Sequence, residues 1–244
     1  MRVSRLFVAQ PFREGDSLLL DAETSHYVRG VLRLRKGFDL TVFNGEGLEY
    51  AAQVDLVCRD EVRLAVGAPR YPAVESPLHT HLGLGISRGE RMDFAVQKAT
   101  ELGVTRITPL LTEHCVVRLD EGKQGTRHLH WQKVSRSACE QSGRTKPPQL
   151  DEPMTLEHWL DRPGGLRLLF DPQGDTCLRD LPAPEAGGVT LLSGPEGGFS
   201  DRERNLARQS GFTPVRLGPR ILRTETAILA ALSVVQSLWG DWAA

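Results

Sequence analysis

Two short segments near the carboxyl end concentrate the residue types that could hold a small ligand and act on it. The first, Leu191-Leu-Ser-Gly-Pro-Glu-Gly-Gly-Phe-Ser-Asp-Arg-Glu203, runs from an apolar strand through a glycine-rich turn into a helix start. Its glycines remove the side chains that would keep a ligand off the backbone, and strand-to-helix loops of an α/β sheet lie at the edge where ligands bind. Ser200 and Glu203 have the S-x-x-E spacing of a capping box. Neither a Gly-Lys-Ser/Thr phosphate loop nor a G-x-G-x-x-G fingerprint is present, and Glu196 puts a carboxylate where polyphosphate would sit. A cationic or hydroxyl-rich ligand therefore suits this turn, although a tight turn with no ligand would use the same glycines.

The second segment, Arg216-Leu-Gly-Pro-Arg-Ile-Leu-Arg-Thr-Glu-Thr-Ala227, repeats the pattern of strand, Gly-Pro turn and helix start, with Thr224 as the expected N-cap. It sets Ile221 and Leu222 between two arginines. Arg223, just before a helix N-terminus, sits in an unfavourable dipole field unless an anion or a developing oxyanion compensates it. A salt bridge to Glu225 or Glu203 would serve the same need. Other chemistries are poorly supported. Ser193 lacks the G-x-S-x-G elbow of a hydrolase. His79, His81, His128 and His130 form no ligand set with nearby carboxylates or thiols, so no metal is expected.

The elements that must position these loops fall into two textures. Residues 3–66 read as short strands (Arg5–Val8, Ser17–Leu20, Leu40–Phe43, Glu49–Val57, Glu61–Val66) with a helix near Thr24–Leu34, a small β-rich barrel or sandwich. Asn44-Gly45-Glu46-Gly47 is a hairpin signal. The three prolines of Gly67–Pro77 argue against regular structure and mark a boundary, giving domains 1–70 and 71–244. Beyond it, strands and helices alternate, as in a mostly parallel α/β sheet. The expected elements are strand Leu82–Ile86, helix Glu90–Leu102 stopped by Gly103, strand Ile107–Leu111, helix Arg127–Gln141, helix Leu156–Leu160, and strands Leu166–Phe170 and Val189–Leu192. The last helix, Thr226–Trp239, is apolar on nearly every side, which calls for deep burial or a partner.

Composition bounds the rest. The 244 residues are 40% hydrophobic and 25% charged, ordinary for a globular protein. Cys58, Cys115, Cys139 and Cys177 lie far apart without C-x-x-C, and no signal peptide or membrane span is written, so a cytoplasmic protein is expected. The net charge of −1 conceals segregation: six cations face only Glu140 between Lys123 and Lys146, and six face only Glu203 between Arg202 and Arg223. Such runs build either a basic face for a phosphate backbone or separate solvated faces.

Gly194-Pro-Glu-Gly-Gly198, followed by Leu217-Gly-Pro-Arg-Ile-Leu-Arg-Thr-Glu-Thr-Ala227, resembles the motif pair of the SPOUT class of S-adenosylmethionine-dependent RNA methyltransferases. More narrowly, the chain resembles the 16S ribosomal RNA (uracil-N3)-methyltransferase family. Arg91–Val104 is similar to that family's first catalytic-domain helix, Glu140–Arg144 to its polar RNA-side segment, and Arg5–Val8 with His26–Arg33 to its N-terminal domain. Glu113-His114-Cys115 stands where the family usually has Glu-Arg-Ser, and Gly37-Phe38 where it has Gly-Asp.

The resemblance implies an α/β fold: a C-terminal trefoil-knot domain with a mostly parallel sheet and a small β-rich PUA-like N-terminal domain. It implies S-adenosylmethionine held by Phe170, Leu192, Ser193, Gly194, Pro195, Glu196, Gly197, Gly198, Leu217, Gly218, Ile221, Leu222, Arg223, Thr226 and Ala227. Arg223 and Glu196 are the expected catalytic residues, Arg223 stabilising charge on the uracil carbonyls and Glu196 orienting cofactor or RNA. Arg5, Arg33, Arg35, Lys133, Arg136, Gln141 and Arg144 are the expected contacts to 16S rRNA, in the small ribosomal subunit. A homodimer through the knot domain and last helix is implied. A non-catalytic rRNA-binding or assembly protein, or a methyltransferase of another RNA position, are the alternatives.

Overall fold

The computed structural model describes residues 3–59, 61–115, 121–162, 164–185 and 188–243. It divides into two compact units, one of residues up to Glu75 with Cys139–Pro147, the other of Ser76–Ala138 with Pro148 onward. The sequence places the boundary at 70/71 and foresees no return of the chain to the first unit.

In the first unit, strands β1 (Ser4–Phe7), β2 (Ser17–Leu19), β3 (Asp39–Phe43), β4 (Glu49–Val57) and β5 (Val62–Arg70) form one sheet in the order β1-β3-β4-β5-β2. Period-two burial puts Tyr50, Ala52 and Val54 of β4 and Val62, Leu64 and Val66 of β5 on one face, packed with Leu6, Leu40 and Val28. The strand β5 runs through Pro69, where the sequence predicts irregular chain. Pro69 pairs with Tyr50 beyond the reach of β2, at a position that can spare an N–H. The expected helix is shorter as well. Helix α1 (Ala22–His26), capped by Asp21, passes into a π-helical turn over Tyr27–Val31, and the left-handed Arg33 (φ 54°) ends it.

The second unit holds β6 (Thr80–Gly85), β7 (Arg106–Leu111), β8 (Gln149–Leu150), β9 (Met154–Thr155), β10 (Leu166–Phe170), β11 (Val189–Ser193) and β12 (Thr213–Val215). All recorded pairings are parallel, in the order β12-β10-β11-β6-β7-β8, with β9 also against β7. Helices α2 (Glu90–Glu101), α4 (Leu156–Leu160), α5 (Asp201–Gln209) and α6 (Thr224–Trp239), with α3 (Glu121–Ser142) as far as Ala138, complete the α/β fold. Leu82, Leu84, Leu168 and Leu191 of the sheet meet Met92 and Val96 of α2 and Ile228, Leu232 and Val235 of α6 in one core. Helix α6 buries one face only: Val234 and Leu238 stay exposed. Among the described residues no helix is long and apolar enough to cross a membrane.

Candidate ligand site

Strands β10, β11 and β12 lie side by side with β10 in the middle, Leu169 pairing with Leu192 and Phe170 with Val215. Their carboxyl ends point the same way, so the three following loops converge. They enclose a cleft of about 570 Å³, within the roughly 300–1,000 Å³ of small-molecule sites. Phe170, Ser193, Gly194, Pro195, Glu196, Gly198, Leu217, Gly218, Ile221, Leu222, Arg223 and Ala227 line it.

Three expected ligand residues fall outside its wall. Leu192 points to the opposite face of the sheet, in the cluster of Trp159 and Phe199. Thr226 faces outward on α6. Gly197 is exposed and adjoins His114, whose Nδ1 lies 3.0 Å from the Gly197 carbonyl oxygen. A Cβ on Gly197 would come within 2.8 Å of the His114 Cβ.

Local chemistry explains how the turn holds its shape. Gly198 takes φ 66°, a left-handed conformation that favours glycine. At the end of β6, a Cβ on Gly85 would stand 2.4 Å from the Pro195 ring, so a glycine there lets the turn approach the sheet. The capping box forms as the spacing predicts: Glu203 N–H donates to Ser200 Oγ at 3.2 Å and Ser200 N–H to Glu203 Oε2 at 2.9 Å. The buried Glu203 also accepts the Glu113 N–H at 2.9 Å, which ties the loop after β7 to α5.

Glu196 accepts from the Arg88 N–H at 3.2 Å and from Arg91 Nη1 at 3.2 Å. Partial burial pushes its carboxyl up, but the backbone N–H groups and Arg91 outweigh that and hold it below the usual carboxylate range. Glu196 is thus a fixed anion and a weak base. Arg223, rather than Thr224, is the N-cap of α6, and no side-chain cap bond forms. The Arg223 side chain is exposed at the cleft, while Thr224 is buried in its wall. Arg223 has no ion pair with Glu203 or Glu225 among the described residues. Asp171, missed from the sequence, also lines the cleft, as does Arg91. The legible signal for Asp171 was its place directly after the apolar run Leu166–Phe170.

The expected RNA contacts separate into two kinds. Arg33, Arg35, Lys133 and Gln141 are exposed and Arg136 is half-buried. The Lys123 side chain lies outside the described residues. Arg5 and Arg144 depart from expectation. Arg144 is buried, its Nε and Nη2 donating to Glu75 Oε2 at 2.9 and 2.8 Å. Arg5 is paired with Glu49, donates to the carbonyls of Gly143 and Arg144 at 3.1 Å each, and lies over the Phe43 ring. Both guanidinium groups are spent inside the first unit and present no open fork to a phosphate. No group of three or more potential metal ligands occurs among the described residues.

Comparison with known proteins places these features in context. The RNA methyltransferase domain family matches residues 74–236. Ribosomal RNA small subunit methyltransferase E of Buchnera aphidicola (from Schizaphis graminum) is 34% identical over 98% of both chains. A Neisseria gonorrhoeae protein of that name, solved bound to S-adenosyl methionine, is 34% identical with a TM-score of 0.92, covering 99% of this chain and 100% of its own. A Legionella pneumophila protein, solved with the bound cofactor SAM, is 40% identical with a TM-score of 0.95 over the same shares.

Proposed function

The chain belongs to the RNA methyltransferase family that includes the ribosomal RNA small subunit methyltransferases E, and from that premise we propose that it methylates N3 of a uridine in 16S rRNA, with S-adenosylmethionine as donor. The convergence of three loops on one cleft, with Arg223 exposed at its wall, carries this reading. The donor set suits that cofactor: bare glycine backbone, the apolar Phe170, Pro195 and Leu222, and two carboxylates, Glu196 and Asp171, one of whose oxygens is buried without a hydrogen-bond partner.

When bound, S-adenosylmethionine supplies an electrophilic methyl group on a sulfonium. This chain's residues do the rest. Uracil N3 lies on the Watson–Crick edge, so the base must be unpaired or flipped to enter the site. As N3 gives up its proton to water, negative charge spreads to the ring carbonyls, and Arg223 stabilises it there. Glu196, kept ionised, compensates positive charge at the turn, and the rigid turn holds donor and acceptor in line.

The first unit, with Arg33 and Arg35 exposed, serves as a PUA-like RNA-binding module. The family resemblance of the two Gly-Pro loops supports a trefoil-knot reading of the second unit, in whose sheet β11 lies beside β6 and β10 lies beyond it. The exposed Val234 and Leu238 on α6 suit a homodimer through that helix. The enzyme works in the cytoplasm on the small ribosomal subunit.

Calorimetry tests the donor: S-adenosylmethionine binds and ATP and NAD do not. Nucleoside mass spectrometry then tests the product, with N3-methyluridine appearing in 16S rRNA from subunits lacking it. No cofactor binding would overturn the whole reading, and a different methylated nucleoside would overturn the N3 assignment.

A further inference from the structure

Asp171 follows the last residue of β10, the middle strand of the three that feed the cleft, and it lines that cleft. Its side chain is only 2% exposed. One oxygen, Oδ1, accepts the Gln173 N–H at 2.9 Å. The other, Oδ2, is buried and has no hydrogen-bond partner among the described residues. Its nearest cation, Arg208 Nη2, stands 3.6 Å away, too far for a hydrogen bond. Burying a carboxylate oxygen without a donor is costly, and native structures accept that cost where a ligand completes the set.

The surroundings decide which donor. A second cation at Oδ2 would meet the Arg208 guanidinium 3.6 Å away, whereas a neutral hydroxyl supplies the missing hydrogen bond without that repulsion. The other carboxylate of the cleft, Glu196, is more exposed, at 21% of its side chain, and is better placed to meet positive charge. Carboxylates beyond strand ends of parallel sheets take ribose hydroxyls in dinucleotide folds by this chemistry. We infer that Asp171 Oδ2 accepts a hydrogen bond from a ribose hydroxyl of the adenosyl ligand, which makes Asp171 the residue that distinguishes ribo- from deoxyribonucleosides in this site. The inference rests on the adenosyl reading of the cleft.

The test is equilibrium binding of S-adenosylhomocysteine and its 2′-deoxy and 3′-deoxy analogues to the full chain. A hydrogen bond to a charged group is worth enough that loss of the contacted hydroxyl weakens binding by about tenfold or more. In Asp171→Asn, checked for folding by its melting curve, that penalty shrinks severalfold because the charged acceptor is gone. A penalty under about tenfold for both analogues on the unaltered chain overturns the inference whether or not the variant folds. An undiminished penalty in folded Asp171→Asn overturns it too. Failure of S-adenosylhomocysteine itself to bind would instead overturn the adenosyl reading of the cleft.

Discussion

Asp151 and Asp171 each follow a strand of the same parallel sheet, and their surroundings could hardly differ more. Asp151, beyond β8, receives five donors: Arg106 Nε and Nη2, the Thr108 hydroxyl, Gln149 Nε2 and Arg162 Nη1. These bonds hold its carboxyl below the usual range although burial pushes it up. Around it the network closes through His81 and the Trp159 indole N–H. Asp171 receives one donor among the described residues, and near it stand the exposed Arg223 and a cleft. The carboxylate of Asp151 is satisfied within the fold, and that of Asp171 keeps one oxygen without a donor among the described residues, beside a cleft. Polar groups that complete one another stabilise a fold, and those left incomplete in a concavity bind.

Breaking the closed region has the largest expected effect. Asp151→Ala strands two arginines and lowers stability by about 3–5 kcal/mol, read by denaturant unfolding. Asp171→Asn removes a poorly paired buried charge and changes stability by no more than about 1 kcal/mol. Equal losses at the two sites would erase the contrast.

The second test is acid. Burial first, then the nearby Arg106 and Arg162, lower the His81 pKa from 6.5 to about 4 against the pull of Asp151. The folded state therefore favours neutral His81. Its contribution is whole above pH 6.5 and is lost as pH falls towards 4, amounting to about 3 kcal/mol. Unfolding followed over that range should show a proton-linked loss that His81→Gln flattens.

Turnover probes the open region. Arg223→Ala should cost about 10²-fold in methyl transfer while its melting temperature and cofactor affinity stay close to those of the unaltered chain. A large drop in melting temperature would mean that Arg223 belongs to the fold and not to the site. The smallest effect is expected at Arg33 and Arg35. Each change to Ala should weaken RNA binding modestly and reduce its salt dependence by about one counterion, whereas Arg144→Ala should act through unfolding.

Much of the site was legible in the chain because it is built locally. The capping box of Ser200 and Glu203 depends on a three-residue spacing, and the glycine turn on conformations that its own residues permit. The strand Leu166–Phe170 and helix Leu156–Leu160 match their sequence-based bounds, since each is a short apolar run with clear neighbours. What escaped was pairing over distance. Arg144 reads as one more cation in a basic run until Glu75, 69 residues earlier, is placed against it. His114 reads as a departure in a loop until its ring meets the Gly197 carbonyl, 83 residues later.

The amino-acid order alone determined where strands, turns and helix starts fall, and through them which loops can approach a ligand with bare backbone. Those properties follow from φ/ψ preferences and periodicity within a few residues. Only the tertiary structure decided that β10 lies between β11 and β12, that Arg5 and Arg144 are consumed in ion pairs, and that one oxygen of Asp171 is left without a donor. Burial and hydrogen-bond completion depend on which distant segments meet, and that information resides in the packed chain as a whole.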